Sequence, residues 1–302
     1  MTRRRVEAIL VGVVALLLMA AGAPGDTTPG DAKVSGVVGK VDVAVSPGSE
    51  WRAAQVGDVL PPGAELRTGA ASRAELRLDG AVARLYELSL VRIPAGAAGQ
   101  ARIDLDRGAS SFDITPRHDA PFEVHTPNTV ALAKGTRFTV TADGDGSTVS
   151  VRRGLVGVRA SDSVAREVLV HPGFGVTGGA GRPFALGLLN QRGDPWEAWS
   201  RGAAPLRPLE RPPEMAQPPA SAEGVEVTLQ GAGDDALQIV AERGPKRVKI
   251  FGVSGLEATL TKRDLSQVLR GNTAALGPMV LSTLRLHGVT PAAFAHQVLD
   301  NL

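Results

Sequence analysis

AKGTRFTVTADGDGSTVSVRRGLVGV, residues 133–158, decides the fold. Phe138, Val140 and Ala142 alternate with Arg137, Thr139 and Thr141. Beyond Asp143-Gly144-Asp145-Gly146 the alternation resumes with Val149 and Val151 against Thr148, Ser150 and Arg152. A period of two in short runs joined by a Gly/Asp cluster predicts strand, tight turn, strand, with one face buried and the Thr, Ser and Arg side chains turned outward. The stretch has no cysteine, histidine or glutamate. It therefore predicts framework that offers surface hydrogen bonds to a partner, not atoms to a reaction.

The same text extends both ways. Val37, Val41, Val43 and Val45, then AELRLDG (74–80), ARIDL (101–105), SSFDIT (110–115), PFEVHT (121–126) and REVLVHPG (166–173) are short alternating runs separated by Gly, Pro, Asp and Ser. Turn signals roughly ten residues apart predict a sandwich, barrel or solenoid, and no strict repeat length chooses among them. The 36 glycines and 21 prolines, with aromatics at only 4%, favour this many-turned β architecture over long helices.

Residues 1–23 read as a signal peptide: three arginines, an apolar run from Ala8 to about Gly22, then small residues. That run is shorter than the roughly 20 residues of a spanning helix, so export to the periplasm is expected, with an uncleaved anchor as the alternative and membrane contact only in that case. The chain has no cysteine, which excludes disulfides, thiol catalysis, thiolate metal sites and a lipid-modified cysteine anchor. The net charge of +2 falls to near neutral once Arg3, Arg4, Arg5 and Glu7 leave, and no basic stripe or stacking series predicts nucleic-acid binding.

Two further segments are expected after a β domain at 34–180. Residues 181–222 form a Trp-containing turn and a linker, whose last part, 203–222, carries six prolines that stiffen it into an extended spacer. Trp196 and Trp199, three apart on one helical turn, either pack back on the β domain or form a surface platform for stacking on a ligand. Residues 223–302 predict a small α+β domain in βαββα order: a strand at 225–229, a helix at 234–242 from the spacing of Leu237, Val240 and Ala241, strands at 247–253 and 256–261, and two or three short helices from Arg263 on.

No reactive constellation emerges. His118 and His125 fall on opposite faces of a continuous strand, and His287 and His296 are separated by a break, so neither pair predicts a metal site; His171 stands alone. Gly173, Gly175 and Gly178 fit G-x-G-x-x-G literally but open no helix. Asp143, Asp145 and Ser147 imitate a calcium loop whose twelfth position is Gly154 rather than glutamate. Asp104, Asp106 and Arg107 predict an exposed ion-pair group. The reading is accordingly a protein that is not an enzyme and takes no cofactor or catalytic residue set.

Four blocks, GDVLPPGAELRTGAASRAELRLDG (57–80), LDRGASSFDIT (105–115), HTPNTVALAKGTRFTV (125–140) and STVSVRRGLVGV (147–158), resemble the FecR protein domain. The matching positions are Gly57, Asp58, Gly63, Arg67, Thr68, Gly69, Ser72, Ala74, Gly80, Gly108, Phe112, Thr126, Pro127, Gly135, Thr136, Phe138 and Gly154. The resemblance implies a mainly β fold, a FecR-like twisted β-solenoid or sandwich-like domain, in a periplasmic regulator of iron transport that signals to a sigma factor. Members of that kind carry a cytoplasmic anti-sigma domain ahead of a membrane helix, whereas only MTRRR precedes the apolar run here. The expectation is thus an exported protein-binding or signalling module of the cell envelope. Residues 225–269 look like the short N-terminal domain of secretins and TonB-dependent receptors (STN), which implies docking to an envelope machine. The alternative is a glycan- or peptidoglycan-binding protein using Trp196 and Trp199.

Overall fold

A computed structural model describes residues 31–78, 80–95, 101–116, 121–144, 146–162, 167–179, 182–189, 195–202, 224–229, 237–242, 247–252 and 257–301. Residues 1–23, expected as a signal peptide, and the proline-rich 203–222 lie outside them. Among the described residues no helix is long and apolar enough to cross a membrane.

The chain is mainly β. Its first strands are β1 (Ala32–Val38), β2 (Val41–Ala44), β3 (Arg52–Ala53), β4 (Val59–Leu60), β5 (Glu65–Thr68), β6 (Arg73–Leu78), β7 (Ala81–Leu85), β8 (Leu90–Arg92) and β9 (Arg102–Ile114). There follow β10 (Phe122–His125), β11 (Thr129–Ala133), β12 (Arg137–Asp143), β13 (Gly146–Arg153), β14 (Val156–Ala160), β15 (Val168–Val170), β16 (Phe174–Gly179) and β17 (Arg182–Leu188). One sheet runs β4-β1-β6-β7-β9-β12-β13-β16-β17. The second runs β3-β2-β5-β8-β9-β10-β11-β14-β15, antiparallel except for β9 with β10. From β10 onward, successive pairs of strands alternate between the two sheets. The quoted stretch is one such excursion: β12 and β13 lie in the first sheet, and β14 returns to the second.

β9 belongs to both sheets, and its residues show how. Ile103 and Leu105 point inward in the second sheet, but in the first the inward set is Phe112 and Ile114, so the parity of the alternation changes along the strand. The change is made by a register shift opposite Leu90 and Val91 and by Gly108, whose φ is +87°. A bulge followed by a left-handed glycine bends a strand from one sheet to the next. A Cβ at Gly108 would lie 2.5 Å from the Ser89 Cα, so a side chain is excluded by space as well as by φ.

The inner faces share one core. Phe112 stacks on Phe138 at 5.2 Å and meets Phe122 of the other sheet at 6.0 Å, with Leu66, Leu76 and Val149 buried around them. Burying such side chains contributes about 1.5–3 kcal/mol each. The outer face of the first sheet departs from the expected solvent-facing Thr and Ser. Thr139, Thr141 and Ser150 are buried, and Thr139 Oγ1 is 2.7 Å from Ser111 Oγ, itself 3.0 Å from the Tyr86 hydroxyl. Helix α1 (Pro195–Ser200) explains part of this, because its Trp199 packs with Tyr86 and Ala109 as a second, smaller cluster on that face. A period of two reports that two faces differ, not that one of them is wet.

The C-terminal region requires a correction. Residues 234–242 were expected to supply a helix, but Leu237–Glu242 is strand β19, between β18 (Gly224–Leu229) and β20 (Arg247–Gly252), followed by β21 (Glu257–Thr261). The βαββα order is replaced by four strands and then helices. LQIVAE alternates as well as it fits a helical turn, its Ile239 and Val240 are β-branched, and six residues are too few for period to decide. β18 pairs in parallel with β17, so the strands continue the first sheet, and the β16–β17 hairpin straddles residue 180. The helices are α2 (Lys262–Leu269), α3 (Gly277–Leu286) and α4 (Pro291–Leu299), with a 3-10 turn at Thr273–Leu276. Thr261 and Asp264 form a reciprocal cap on α2, and Thr290 caps α4 with Pro291 in its first turn.

Candidate functional site

The residues matching the FecR pattern occupy turns, inter-strand hydrogen bonds and core. Thr68 Oγ1 donates to Tyr86 O at 2.6 Å and accepts from Ser89 N at 2.9 Å, Ser72 Oγ accepts from Lys40 N at 2.8 Å, and Gly69 N donates to Lys40 O at 2.9 Å. Asp58 pairs with Arg52 at 2.7 Å and accepts from Gln55 N; burial opposes its ionisation, but these bonds win and hold its carboxyl below the usual range. Arg67 pairs with Asp42 and lies 4.2 Å over the Trp51 ring. Thr126 Oγ1 is 2.7 Å from Ser147 Oγ and receives Thr129 N, which closes the turn at Pro127. Ala74, Phe112 and Phe138 are core. Gly154 has φ +80°, and a Cβ there would lie 2.7 Å from Thr136 Cγ2; Gly57, Gly63, Gly80 and Gly135 also stand at positive φ between strands. These positions build a frame.

Trp196 and Trp199 are brought together with three arginines that no sequence spacing announced. Going across the sheet, Arg73 lies 5.6 Å over the Trp199 ring, Arg84 lies 5.0 Å over Trp199 and 3.9 Å over Trp196, and Arg137 lies 5.3 Å over Trp196. Guanidinium and indole alternate in a ladder from β6 through β7 to β12. Two of its arginines meet carboxylates: Glu75 pairs with Arg84 at 2.8 Å, and Asp113 pairs with Arg137 and, at 3.0 Å, with Arg153 as well. Burial opposes ionisation of Glu75, yet Arg84 and the Ser35 hydroxyl outweigh it and hold the carboxyl below its ordinary range. Trp199 Nε1 donates to Leu85 O at 2.8 Å, Arg84 Nη1 donates to Trp196 O at 2.7 Å, and Arg73 Nη1 donates to Trp199 O. Trp199 is buried and Trp196 half-buried, with both rings against guanidinium groups.

The histidines are spread. His125 Nε2 is 2.6 Å from Glu123, and His287 is half-buried with Nε2 lacking a hydrogen-bond partner, so burial pushes its pKa down; His118 lies outside the described residues. His171 meets Asp300 at 2.7 Å, and its ring lies 6.0 Å from that of His296. Among the described residues no three His, Cys, Asp or Glu gather as metal ligands. Gly173–Gly178 forms a turn and strand β16, and Asp143 Oδ1 accepts from Gly146 N at 3.0 Å within its hairpin; Asp145 lies outside the described residues. Asp104 pairs with Arg102 and Asp106 with Arg92; burial and the neighbouring Asp104 and Glu65 push Asp106 upward against the pull of Arg92.

The FecR protein family model matches residues 64–157. The FecR-matched segment begins just before β5 and ends in β14, so it holds the shared strand β9 and most of the two-sheet core. Two crystal structures of a candidate anti-sigma factor from Parabacteroides distasonis are similar, each at 20% identity and a TM-score of 0.39 over 46% of this chain. The chain spans 65% and 64% of the length of those two structures. No curated protein matches the chain.

Proposed function

We propose that this chain is a non-enzymatic FecR-domain protein exported to the periplasm, where it acts as a protein-binding or signalling module of the cell envelope. The observation that carries the reading is the FecR match at 64–157, whose pattern residues fall on turns and core and so preserve the frame while leaving the surface free to vary. The arginine-rich, apolar, small-residue order of residues 1–23 supports export. The alternation of strand pairs between two open sheets supports the twisted β-solenoid description. The C-terminal region is the partner-docking part of this reading, although its four strands followed by helices depart from the strand-helix order of the STN domain.

Envelope cross-linking of the full chain tests it. Photo-reactive residues placed at Val56 and Leu88, which are exposed apolar side chains, should trap a protein partner in the periplasmic fraction. Recovery of the chain in the cytoplasm with no trapped protein overturns the reading. Purified peptidoglycan is the contrasting bait: the glycan alternative needs retention that disappears on replacing Trp196 and Trp199, whose ring faces already meet Arg73, Arg84 and Arg137.

A further inference from the structure

β15 is the last strand of its sheet, and among the described residues it pairs with β14 alone. Its outer edge presents Leu169 N, Leu169 O and His171 N, the alternate donors and acceptors that a further strand would use. They are not bare. Asn301 Oδ1 accepts from Leu169 N at 2.8 Å, Asn301 Nδ2 and Gln297 Nε2 donate to Leu169 O at 2.8 and 2.7 Å, and Gln297 Oε1 accepts from His171 N at 2.8 Å. Gln297 is in the last turn of α4 and Asn301 two residues past its end, where Asn301 Nδ2 also donates to Gln297 O at 2.8 Å. Two side-chain amides, each carrying one carbonyl and one NH2, thus stand in for the peptide groups of a neighbouring strand. Asp300 completes the contact on His171 Nε2 at 2.7 Å.

We propose that the edge of β15 is a docking site for an extended peptide segment of a protein partner, and that α4 is its built-in plug. A helix end that satisfies a strand edge through amides occupies the edge without adding a strand, so an incoming backbone would compete for the same three groups through main-chain hydrogen bonds. The plug also states the chemistry of its replacement. The segment is extended, contributes main-chain N–H and C=O to Leu169 and His171, and bears a carboxylate that takes the place of Asp300 on His171. Val168 and Val170 point to the core, so specificity comes from the edge and from His171. The site goes beyond the envelope reading and does not depend on the compartment in which the chain works.

The probe is a fluorescein-labelled hexapeptide of alternating valine and threonine with one aspartate, titrated against the full chain by anisotropy. Gln297→Ala with Asn301→Ala should bind it at least tenfold more tightly than the wild type. Adding Leu169→Pro, which deletes an outward N–H on an edge strand where proline is tolerated, should abolish binding. Equal affinity for wild type and double variant, or binding indifferent to Leu169→Pro, overturns the proposal. Should the double variant fail to fold by near-ultraviolet circular dichroism, hydrogen exchange on the wild type decides. Saturating peptide should deprotect residues 291–299 while 168–171 stay protected, and an unchanged 291–299 refutes the plug.

Discussion

Two short helices close the β body, and they do so by different chemistry. α1 lies on the face of one sheet, where indole and guanidinium groups interleave in a side-chain ladder. α4 meets the edge of the other sheet, where two amides hold backbone atoms of β15. The first contact depends on its side chains: the Trp196 ring lies 3.9 Å from the Arg84 guanidinium and 5.3 Å from that of Arg137. The second is made mainly to backbone groups of the strand it covers, with the His171–Asp300 pair beside them, and any extended backbone offers the same peptide groups. A face closed by side chains is a fixed part of the fold, whereas an edge closed by amides is exchangeable.

Phe112→Ala removes the ring shared by both sheets and should lower stability by about 3–5 kcal/mol on chemical denaturation. Gly108→Ala, forced into a left-handed φ against Ser89, should cost about 1–3 kcal/mol and blunt the bend of β9. Both values follow from denaturant midpoints.

Arg84→Met keeps the apolar stem but deletes the cation between the two indoles, and should cost about 1–2 kcal/mol while shifting tryptophan emission to the red. Glu75 would then lose its partner. Since the carboxyl of Glu75 is held below its ordinary range, its contribution is complete above the unfolded value and fades as pH falls through the folded one; the acid limb of melting temperature should flatten in Glu75→Gln. His287 has the smallest effect. Its folded pKa is depressed by burial, so the unfolded chain takes up the proton first and stability falls as pH drops below the ordinary 6.5; His287→Leu should remove that part of the slope between about pH 5 and 7.

Much of the β frame was legible because alternation is a local signal. Phe138, Val140, Val149 and Val151 point inward as their period of two requires, and the turn at Asp143–Gly146 follows from its residues. Residues 234–242 read as a helix in the sequence because the six of them that form β19 satisfy both periods, and pairing with β18 and β20 decides between the two. The burial of Thr139 and Ser150 was invisible for a related reason, since a covered polar face alternates like a wet one. Neither docking contact could be found from spacing. Arg73, Arg84 and Arg137 lie far from Trp196 and Trp199 in sequence, and Gln297 and Asn301 read as ordinary polar residues near a helix end. What makes them specific is the register of β6, β7, β12 and β15, which only the folded chain supplies.

Hydrogen exchange of the wild-type chain measured by mass spectrometry is the most direct test of an exchangeable edge beside a fixed face. Residues 291–301 should exchange by a local opening that also exposes 168–171, well before 195–200, which should wait for global unfolding. Identical exchange of the two helical segments in a single global event contradicts the account.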